Sequence, residues 1–270
     1  MIKVLRAYGI PSKIVKAISM IYEQTRALVL TPDGETSSFD IIAGVLQGDT
    51  LAPYLFIIVL DYVMRTAIGD DNNKLGFTIT PRAGRRYPAE VVTDLDFADD
   101  IALLSDTPAE AQELLQRVEE QAQTVGLHMN SDKTKVMKYN ENRDVPIRSL
   151  NGNNLERVTD FQYLGSWVDS SEKDIDIRKA KAWVACNRLN AIWTSKLPKK
   201  LKIRLFKATV ESVLLYGAEC WTLTKRLEQK LDGCYTRMLM RVQNMNWKQH
   251  HTLSEIHGNL PQITTTIQSR

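Results

Sequence analysis

The sequence predicts an α+β fold in its first part and a helical region after about residue 170. Apolar stretches on either side of Asp99 and Asp100 are typical of two short antiparallel strands that turn at the acid pair. Residues 107–110, Thr-Pro-Ala-Glu, form a capping box with Pro at the first helical position, and Gly126 ends the amphipathic helix that follows. After Ser170, apolar residues recur at helical spacing.

Two helices, a hairpin and a third helix are expected before the acid pair. Residues 1–8 indicate a helix that the next glycine ends, and Pro11 suits the first turn of a second helix. Residues 27–30 favour a strand that returns at residues 38–42 after the turn sequence Thr-Pro-Asp-Gly. A buried helix is predicted over residues 51–68. The second helix has isoleucines at helical spacing, namely Ile14, Ile18 and Ile21.

Short strands and then long helices are expected after the capped helix. Two short strands are predicted on either side of the turn at residues 131–134. Pro198 starts a helix with one apolar stripe, formed by Ile203, Phe206, Val210 and Val213. A further helix has its own stripe, formed by Leu227, Leu231, Cys234 and Met238.

The composition is that of a globular protein. Of 270 residues, 43% are hydrophobic and 25% charged, which allows one large or two small domains. The three cysteines have no Cys-x-x-Cys spacing and fit reduced thiols. The most apolar run, residues 54–60, is too short to cross a bilayer, and no secretory signal stands at the start. We therefore expect an intracellular protein, in the nucleus or cytoplasm, without membrane contact; the oligomeric state stays open.

Charge is distributed unevenly along the chain. Residues 1–150 carry 16 Lys/Arg and 21 Asp/Glu, whereas residues 151–270 carry 19 and 11. Within residues 173–207 there are 11 basic residues and only two acidic ones. A cationic helix face of this kind can follow a phosphate backbone, although such a face can also be merely solvated. The candidate contacts are Lys199, Lys200, Arg204 and Lys207.

The acid pair itself indicates metal chemistry. Two carboxylates held close together repel each other unless a cation neutralises them. Oxygen ligands of this type suit Mg²⁺, which one or two carboxylates commonly bind together with substrate phosphates. The alternative is an ordinary polar turn, since Asp is frequent in turns.

Five motifs follow one another in a recognisable order. They are Gly-Val-Leu-Gln-Gly-Asp-Thr-Leu-Ala-Pro-Tyr-Leu-Phe at 44–56, Phe-Ala-Asp-Asp at 97–100, Gly-Leu-His-Met-Asn-Ser-Asp-Lys-Thr-Lys at 126–135, Phe-Gln-Tyr-Leu-Gly at 161–165, and Leu-Leu-Tyr-Gly-Ala-Glu-Cys-Trp at 214–221. Together they resemble the reverse transcriptase of non-LTR (LINE-type) retrotransposons, and the resemblance covers most of the chain up to about Trp247.

The resemblance implies a right-hand polymerase. Residues 1–169 would form part of the fingers and a palm, with an antiparallel sheet and packed helices, and residues 170–247 a helical thumb. Residues 248–270, rich in Thr and Gln, are expected to be a weakly ordered tail. The implied activity is RNA-directed DNA synthesis on an RNA template, from a DNA primer and deoxynucleoside triphosphates, with two Mg²⁺ (or Mn²⁺) ions.

The resemblance also assigns roles to residues. Asp99 and Asp100 match the catalytic metal ligands, whereas Asp96 is interpreted as an ordinary strand residue. Lys133, or alternatively Lys135, matches the lysine that would neutralise the departing pyrophosphate, unless it is a solvated turn residue.

Two further segments match binding sites of the family. Gln47 and Gly48 match the contact to the incoming nucleotide and template, although the segment is also readable as a loop entering a helix. Asp49 departs from the family, which often has a small or sulfur-bearing residue there. Residues 161–165 match the segment that grips the primer strand, with Tyr163, Leu164 and Gly165 as the candidate contacts, although the aromatic residues of this segment are equally suited to a core.

The family has a further catalytic aspartate in a strand that precedes the first helix of this chain. No residue of this sequence takes that place, so the palm is expected to be N-terminally truncated and the chain inactive alone. The alternatives are a non-catalytic remnant that binds RNA or RNA–DNA duplex, and a reading frame that yields no stable protein.

Overall fold

The computed structural model describes residues 1–23, 25–41, 44–46, 48–69, 75–139, 145–246, 249–258 and 260–268. The chain divides into two compact units, Met1–Val158 and Thr159–Arg270. The sequence places residues 159–169 with the first region, whereas the structure places them in the second unit. They belong there because a short hairpin within them is hydrogen-bonded to the helices of that unit.

In the part of the first unit that the structure describes, four helices form the frame: α1 (Ile2–Ala7), α2 (Ser12–Tyr22), α3 (Ala52–Ile68) and α4 (Pro108–Thr124). The first three pack around one apolar cluster, made of Leu5, Val15, Ile18 and Leu55. The expected stripe of α2 is only partly correct, because Val15 and Ile18 are buried while Ile14 and Ile21 are about half exposed.

Among the described residues, the first unit also contains ten short strands: β1 (Arg26–Ala27), β2 (Leu30–Thr31), β3 (Gly34–Glu35), β4 (Phe39–Asp40), β5 (Phe77–Thr80), β6 (Glu90–Val92), β7 (Asp94–Phe97), β8 (Asp100–Leu103), β9 (Lys135–Met137) and β10 (Glu156–Val158). They pair two by two, antiparallel except for the parallel pair β9–β10. Of the two strands expected around residues 131–134, only β9 forms, and its partner comes from further along the chain.

Helix α4 fixes the position of the β7–β8 hairpin. Its capping box is present as predicted: the Thr107 hydroxyl accepts from the Glu110 amide, and the Glu110 carboxylate accepts from the Thr107 amide. Leu114 is fully buried against Met64 and Ile68 of α3, and two side chains of β8 join this cluster, Ile101 and Leu103. The strand that begins at Asp100 is therefore anchored to two helices.

The second unit is mainly helical, as predicted. It contains the hairpin β11 (Gln162–Tyr163) and β12 (Ser166–Trp167), then α5 (Ser171–Arg188), α6 (Asn190–Trp193), α7 (Lys199–Phe206), a π-helical segment (Lys207–Glu211), α8 (Ser212–Leu214), a 3₁₀ turn (Ala218–Cys220), α9 (Lys225–Val242), α10 (Leu253–His257) and α11 (Ile263–Gln268). All four expected apolar residues of α9 are buried: Leu227, Leu231, Cys234 and Met238.

The helix expected after Pro198 is interrupted by the π-helical segment. Phe206, Val210 and Leu214 are fully buried, and they follow one another at intervals of four residues. Four residues exceed one turn of α-helix, whereas a π turn is wider, so the π segment keeps the three side chains on one face. Val213, expected on the stripe, is only partly buried, and Leu214 takes its place.

The C-terminal segment differs from the expected weakly ordered tail. Helices α10 and α11 form there, and Ile256 and Ile263 are buried in the same core as α9. These two residues supply apolar anchors that the Thr- and Gln-rich composition does not suggest. Among the helices that the structure describes, we find no segment with the length and apolar character that a bilayer crossing requires.

Candidate active site

The acid pair lies at the tip of the β7–β8 hairpin, as the sequence predicts. The pairing runs from Asp94 opposite Leu103 to Phe97 opposite Asp100, so Ala98 and Asp99 form a two-residue connection. Ala98 has a φ of 56°, a left-handed conformation that is unusual for a residue other than glycine. Asp99 is in the turn, whereas Asp100 is the first residue of β8, and both are exposed.

The two faces of the hairpin have different surroundings. Residues opposite each other in an antiparallel pair share a face, so Asp96 lies with Ile101, and Phe97 lies with Asp100. Ile101 packs against α3 and α4. The face that carries Asp100 therefore points away from these helices, and Phe97 on that face is 62% exposed. The carboxylates at the tip are open to solvent and to a ligand.

The pair suits a divalent cation without enclosing one. Asp99 and Asp100 offer carboxylate oxygens, which are the ligands that Mg²⁺ prefers. Within the described ranges, no three His, Cys, Asp or Glu side chains come together as a metal site. The donor set therefore fits an ion that takes its remaining ligands from water and from substrate phosphates.

A second acidic group lies on the helix-facing side of the hairpin. Asp61, Asp94 and Asp96 line an open cavity together with Arg65. Desolvation, together with the neighbouring Asp94 carboxylate, raises the pKa of Asp96 to about 6. Asp61 accepts hydrogen bonds from Tyr8 and Arg65, and the bond from Tyr8 is the main cause of its lowered pKa.

The raised pKa of Asp96 differs from what is expected of an ordinary strand residue, which is how the sequence alone presents it. The spacing of Asp94 and Asp96, two residues apart on one strand, was the available signal, because it puts both carboxylates on the same face.

The two candidate lysines differ in their surroundings. Lys135 is engaged, because its ammonium group donates to the Glu156 carboxylate and, at 2.7 Å, to the carbonyl of Asp132. Lys133 is exposed, and across the described part of the chain its ammonium group has no acidic partner. Of the two alternatives, Lys133 is thus the one available to a ligand.

The turn carrying Lys133 is anchored to the cluster that also holds the base of the hairpin. This cluster consists of Leu115, Ile147 and Leu155 with the partly buried Leu103, Ala111, Met129 and Val136.

Gly48 and Asp49 stand before α3. Gly48 has a φ of 89°, and open space surrounds the position that a Cβ would take. Asp49 accepts a hydrogen bond from the Leu51 amide at 3.0 Å, so this departure from the family motif stabilises the turn that leads into α3. Gln47 lies outside the described residues.

The expected primer-grip residues form the turn of the β11–β12 hairpin. Tyr163 pairs with Ser166, which leaves Leu164 and Gly165 as the two-residue connection. Tyr163 is half-buried, whereas Leu164 is exposed. The turn therefore presents an apolar side chain to solvent and does not bury it in the core.

The expected basic contacts are exposed, and one neighbour is not. Lys199, Lys200, Arg204 and Lys207 are exposed and have no ion-pair partner among the residues described. Lys202, on the same helix, is only 7% exposed, and its ammonium group donates to the carbonyls of Trp193 and Ser195. Lys202 is a structural residue, which its charge alone did not reveal.

Comparison with known proteins identifies the first unit. The model of the family described as reverse transcriptase (RNA-dependent DNA polymerase) matches residues 1–168. A putative uncharacterized transposon-derived protein of Caenorhabditis elegans is 33% identical over 159 residues, or 56% of this chain and 56% of that protein. The Pol polyprotein of the type-2 retrotransposable element R2DM of Drosophila melanogaster is 36% identical over 130 residues, or 48% of this chain and 11% of the polyprotein.

A longer match extends into the helical unit. The RNA-directed DNA polymerase from mobile element jockey of Drosophila funebris is 26% identical over 282 aligned positions, which cover 96% of this chain and 29% of the polymerase. The chain thus spans between about a tenth and just over half of the length of these relatives. The family resemblance expected from the five motifs is confirmed: the chain belongs to the reverse transcriptase (RNA-dependent DNA polymerase) family.

Proposed function

We propose that this chain is part of a retrotransposon RNA-directed DNA polymerase and contributes Asp99 and Asp100 to its nucleotidyl-transfer centre. The observation that carries the proposal is the exposure of both carboxylates at the tip of a hairpin that α3 and α4 hold in place. A rigid hairpin keeps the two carboxylates at one point, as metal-assisted phosphoryl transfer requires.

The role proposed for each residue follows from its charge. Asp99 and Asp100 would hold Mg²⁺ or Mn²⁺ together with the triphosphate of the incoming nucleotide. The bound ions supply activation of the primer 3′-hydroxyl and stabilisation of the leaving oxygen. Lys133, exposed and without an acidic partner in the described ranges, would neutralise charge on the departing pyrophosphate. Gln47 and Gly48 are proposed to contact the nucleotide and template, and Tyr163, Leu164 and Gly165 the primer.

We further propose that residues 1–270 alone do not extend primers. Two-metal chemistry needs carboxylates that fix both ions, and the described residues bring no third metal-binding side chain to the pair. The pair is thus half of a metal centre.

Primer extension tests this part of the proposal. The purified chain is incubated with an RNA template, a DNA primer, the four deoxynucleoside triphosphates and Mg²⁺ or Mn²⁺. We expect no extension above that of an Asp99→Ala variant. Efficient extension that Asp99→Ala abolishes would show that the chain forms a complete centre.

The second candidate function is duplex binding without catalysis. It is favoured by four exposed basic residues of α7 and the segment after it, which have no ion-pair partner within the described ranges: Lys199, Lys200, Arg204 and Lys207. A cationic face of this kind binds the phosphate backbone with an affinity that depends steeply on salt.

Salt titrations of binding to an RNA–DNA hybrid test this candidate. We expect the double variant Lys200→Gln/Arg204→Gln to reduce the slope of log affinity against log salt by about 1.5. The matched control is Lys225→Gln/Arg237→Gln, which removes two exposed charges from α9. Equal slopes for the two double variants would exclude the α7 face as the contact.

A further inference from the structure

The turn of the β11–β12 hairpin has an unfavourable residue at its first position. Leu164 has a φ of 49° and Gly165 a φ of 84°, so both central residues are left-handed, as in a type I′ turn. Asn-Gly is the preferred pair for that turn, whereas a leucine in the left-handed region is strained. Leu164 is 39% exposed, so core packing alone does not explain the strained conformation.

Two side chains from other elements bind the carbonyl groups of this turn. The Tyr216 hydroxyl donates to the Leu164 carbonyl at 3.0 Å, and Nη2 of Arg178 donates to the Gly165 carbonyl at 2.6 Å. The Arg178 guanidinium also lies over the Tyr216 ring, 4.1 Å from its centroid. Arg178 comes from α5 and Tyr216 from the segment after α8, so the turn is fixed from two sides.

The buried carboxylate of Asp174 lies beside Arg178. Asp174, one helical turn earlier and 1% exposed, places Oδ1 3.7 Å from Nε of Arg178. Its Oδ2 accepts a hydrogen bond from Nε1 of Trp221 at 2.8 Å. At 3.7 Å the two groups form an ion pair without a hydrogen bond, and neither Oδ1 of Asp174 nor Nε of Arg178 has a hydrogen-bond partner among the described residues. The carboxylate, oriented by the indole, therefore acts on the guanidinium through its charge.

The chain also passes close to the hairpin at Gly217. A Cβ on Gly217 would lie 2.1 Å from Oγ of Ser166, and its φ of 74° is left-handed as well. A larger residue at this position requires the Ser166 hydroxyl to move. Strain at an exposed turn, combined with support from buried groups, is the arrangement found where a protein holds a contact surface ready for a ligand.

We propose that Arg178 and Tyr216 are positioning residues, which hold Leu164 in its strained conformation so that the turn meets the end of a bound primer strand. This inference rests on the proposed function, since the primer contact of the turn is itself proposed. Arg178 lies outside the five motifs, whereas Tyr216 belongs to the motif at 214–221. The ligand class is the 3′-terminal nucleotide of a DNA strand paired to RNA, and an uncharged leucine suits its sugar face and not its phosphate.

The first test measures the turn by itself, in the full 270-residue chain. Tyr216→Phe removes only the hydroxyl and leaves the ring under Arg178. We expect the amides of residues 164–166 to exchange about tenfold faster, as the loss of one hydrogen bond implies. In a Leu164→Asn background, Asn-Gly favours the turn unaided, so the same substitution should change exchange by less than about threefold. An equal acceleration in both backgrounds would refute the positioning role.

The second test measures the contact with a probe. An RNA–DNA hybrid with a recessed DNA 3′ end carries 2-aminopurine at that end, and the control is a hybrid of equal length whose DNA 3′ end is an unpaired overhang. We expect Tyr216→Phe to lower affinity for the recessed hybrid by about tenfold, with the affinity for the control hybrid unchanged. Arg178→Lys keeps the positive charge but loses the planar guanidinium group. It should likewise lower the affinity for the recessed hybrid.

The outcomes separate this inference from the proposed function. If the unmodified chain binds neither hybrid, the proposed function fails, and the primer contact fails with it. If the unmodified chain binds both hybrids and the variants bind them equally well, the positioning role is refuted while duplex binding stands.

Discussion

The clearest quantitative prediction concerns two lysines of α7 that differ by two positions. Lys202 is buried, and its ammonium group lies 2.5 Å from the Trp193 carbonyl and 2.8 Å from the Ser195 carbonyl. Lys200 is exposed and has no acidic partner among the residues described. Substitution by methionine keeps most of the aliphatic chain in each case and removes the charge.

The expected cost at Lys202 follows from these two contacts. Hydrogen bonds from a charged donor contribute about 1.5–3 kcal/mol each, and the substitution also leaves two carbonyls at the end of α6 with one donor fewer. Taking the lower value for both bonds gives a loss of about 3 kcal/mol. For a unit of this size, such a loss lowers the melting temperature by about 10 °C.

Thermal unfolding and hybrid binding together form the assay. Lys202→Met should lower the melting temperature by about 10 °C, whereas Lys200→Met should change it by less than about 2 °C. The order reverses for binding: Lys200→Met should lower affinity for an RNA–DNA hybrid at low salt, and the folded fraction of Lys202→Met should bind normally. Equal melting temperatures for the two variants would refute the structural role of Lys202.

Three further predictions concern single residues. Asp96 keeps its proton up to about pH 6 in the folded chain but only up to about 3.8 when unfolded, so its contribution to stability falls as pH rises through this window. Asp96→Asn should therefore stabilise the protein at pH 7 and make the free energy of unfolding, measured in urea, depend less on pH between pH 4 and 6. An unchanged pH profile would show that the Asp96 carboxyl group does not cause this dependence. Gly217→Ala should lower the melting temperature by several degrees, and Ser166→Gly in the same chain should restore part of the loss, since the added Cβ meets Ser166 Oγ. Asp49→Ala should cost about 1 kcal/mol in urea unfolding and Asp49→Ser much less, because the acceptor for the Leu51 amide is kept in the second variant.

Local signals predicted several elements of both units. The capping box at Thr107, the apolar stripe of α9 and the two-residue connection at Asp99 depend on residues within one or two turns of each other. Such patterns are readable because side-chain periodicity and turn chemistry act locally. The π-helical segment could not be predicted in this way, because the spacing of its buried side chains depends on the core into which Phe206 and Val210 pack.

The parts that escaped prediction depend on contacts between distant residues. In the sequence, Lys202 cannot be distinguished from its exposed basic neighbours. Its hydrogen bonds to the carbonyls of Trp193 and Ser195 are seen only in the structure. Tyr216 lies 52 residues from the Leu164 carbonyl to which it donates, so no spacing rule links them. The parallel partner of β9 likewise comes from 21 residues further along the chain. These contacts cannot be read directly from the order of residues, because they follow from the packing of the whole unit.

The hairpin that carries the acid pair places its carboxylates in two different environments. Asp96 faces α3 and α4, where Asp94 lies beside it and its pKa rises to about 6. Asp99 and Asp100 stand at the exposed tip. A pKa of about 6 lets protons compete with a metal ion at Asp96 in slightly acidic solution, whereas an exposed carboxylate pair can exchange water for metal and phosphate. We therefore propose the tip as the metal-binding part of the hairpin. A chain with Asp96→Asn should consequently bind Mn²⁺ as the original does, while Asp99→Asn should not.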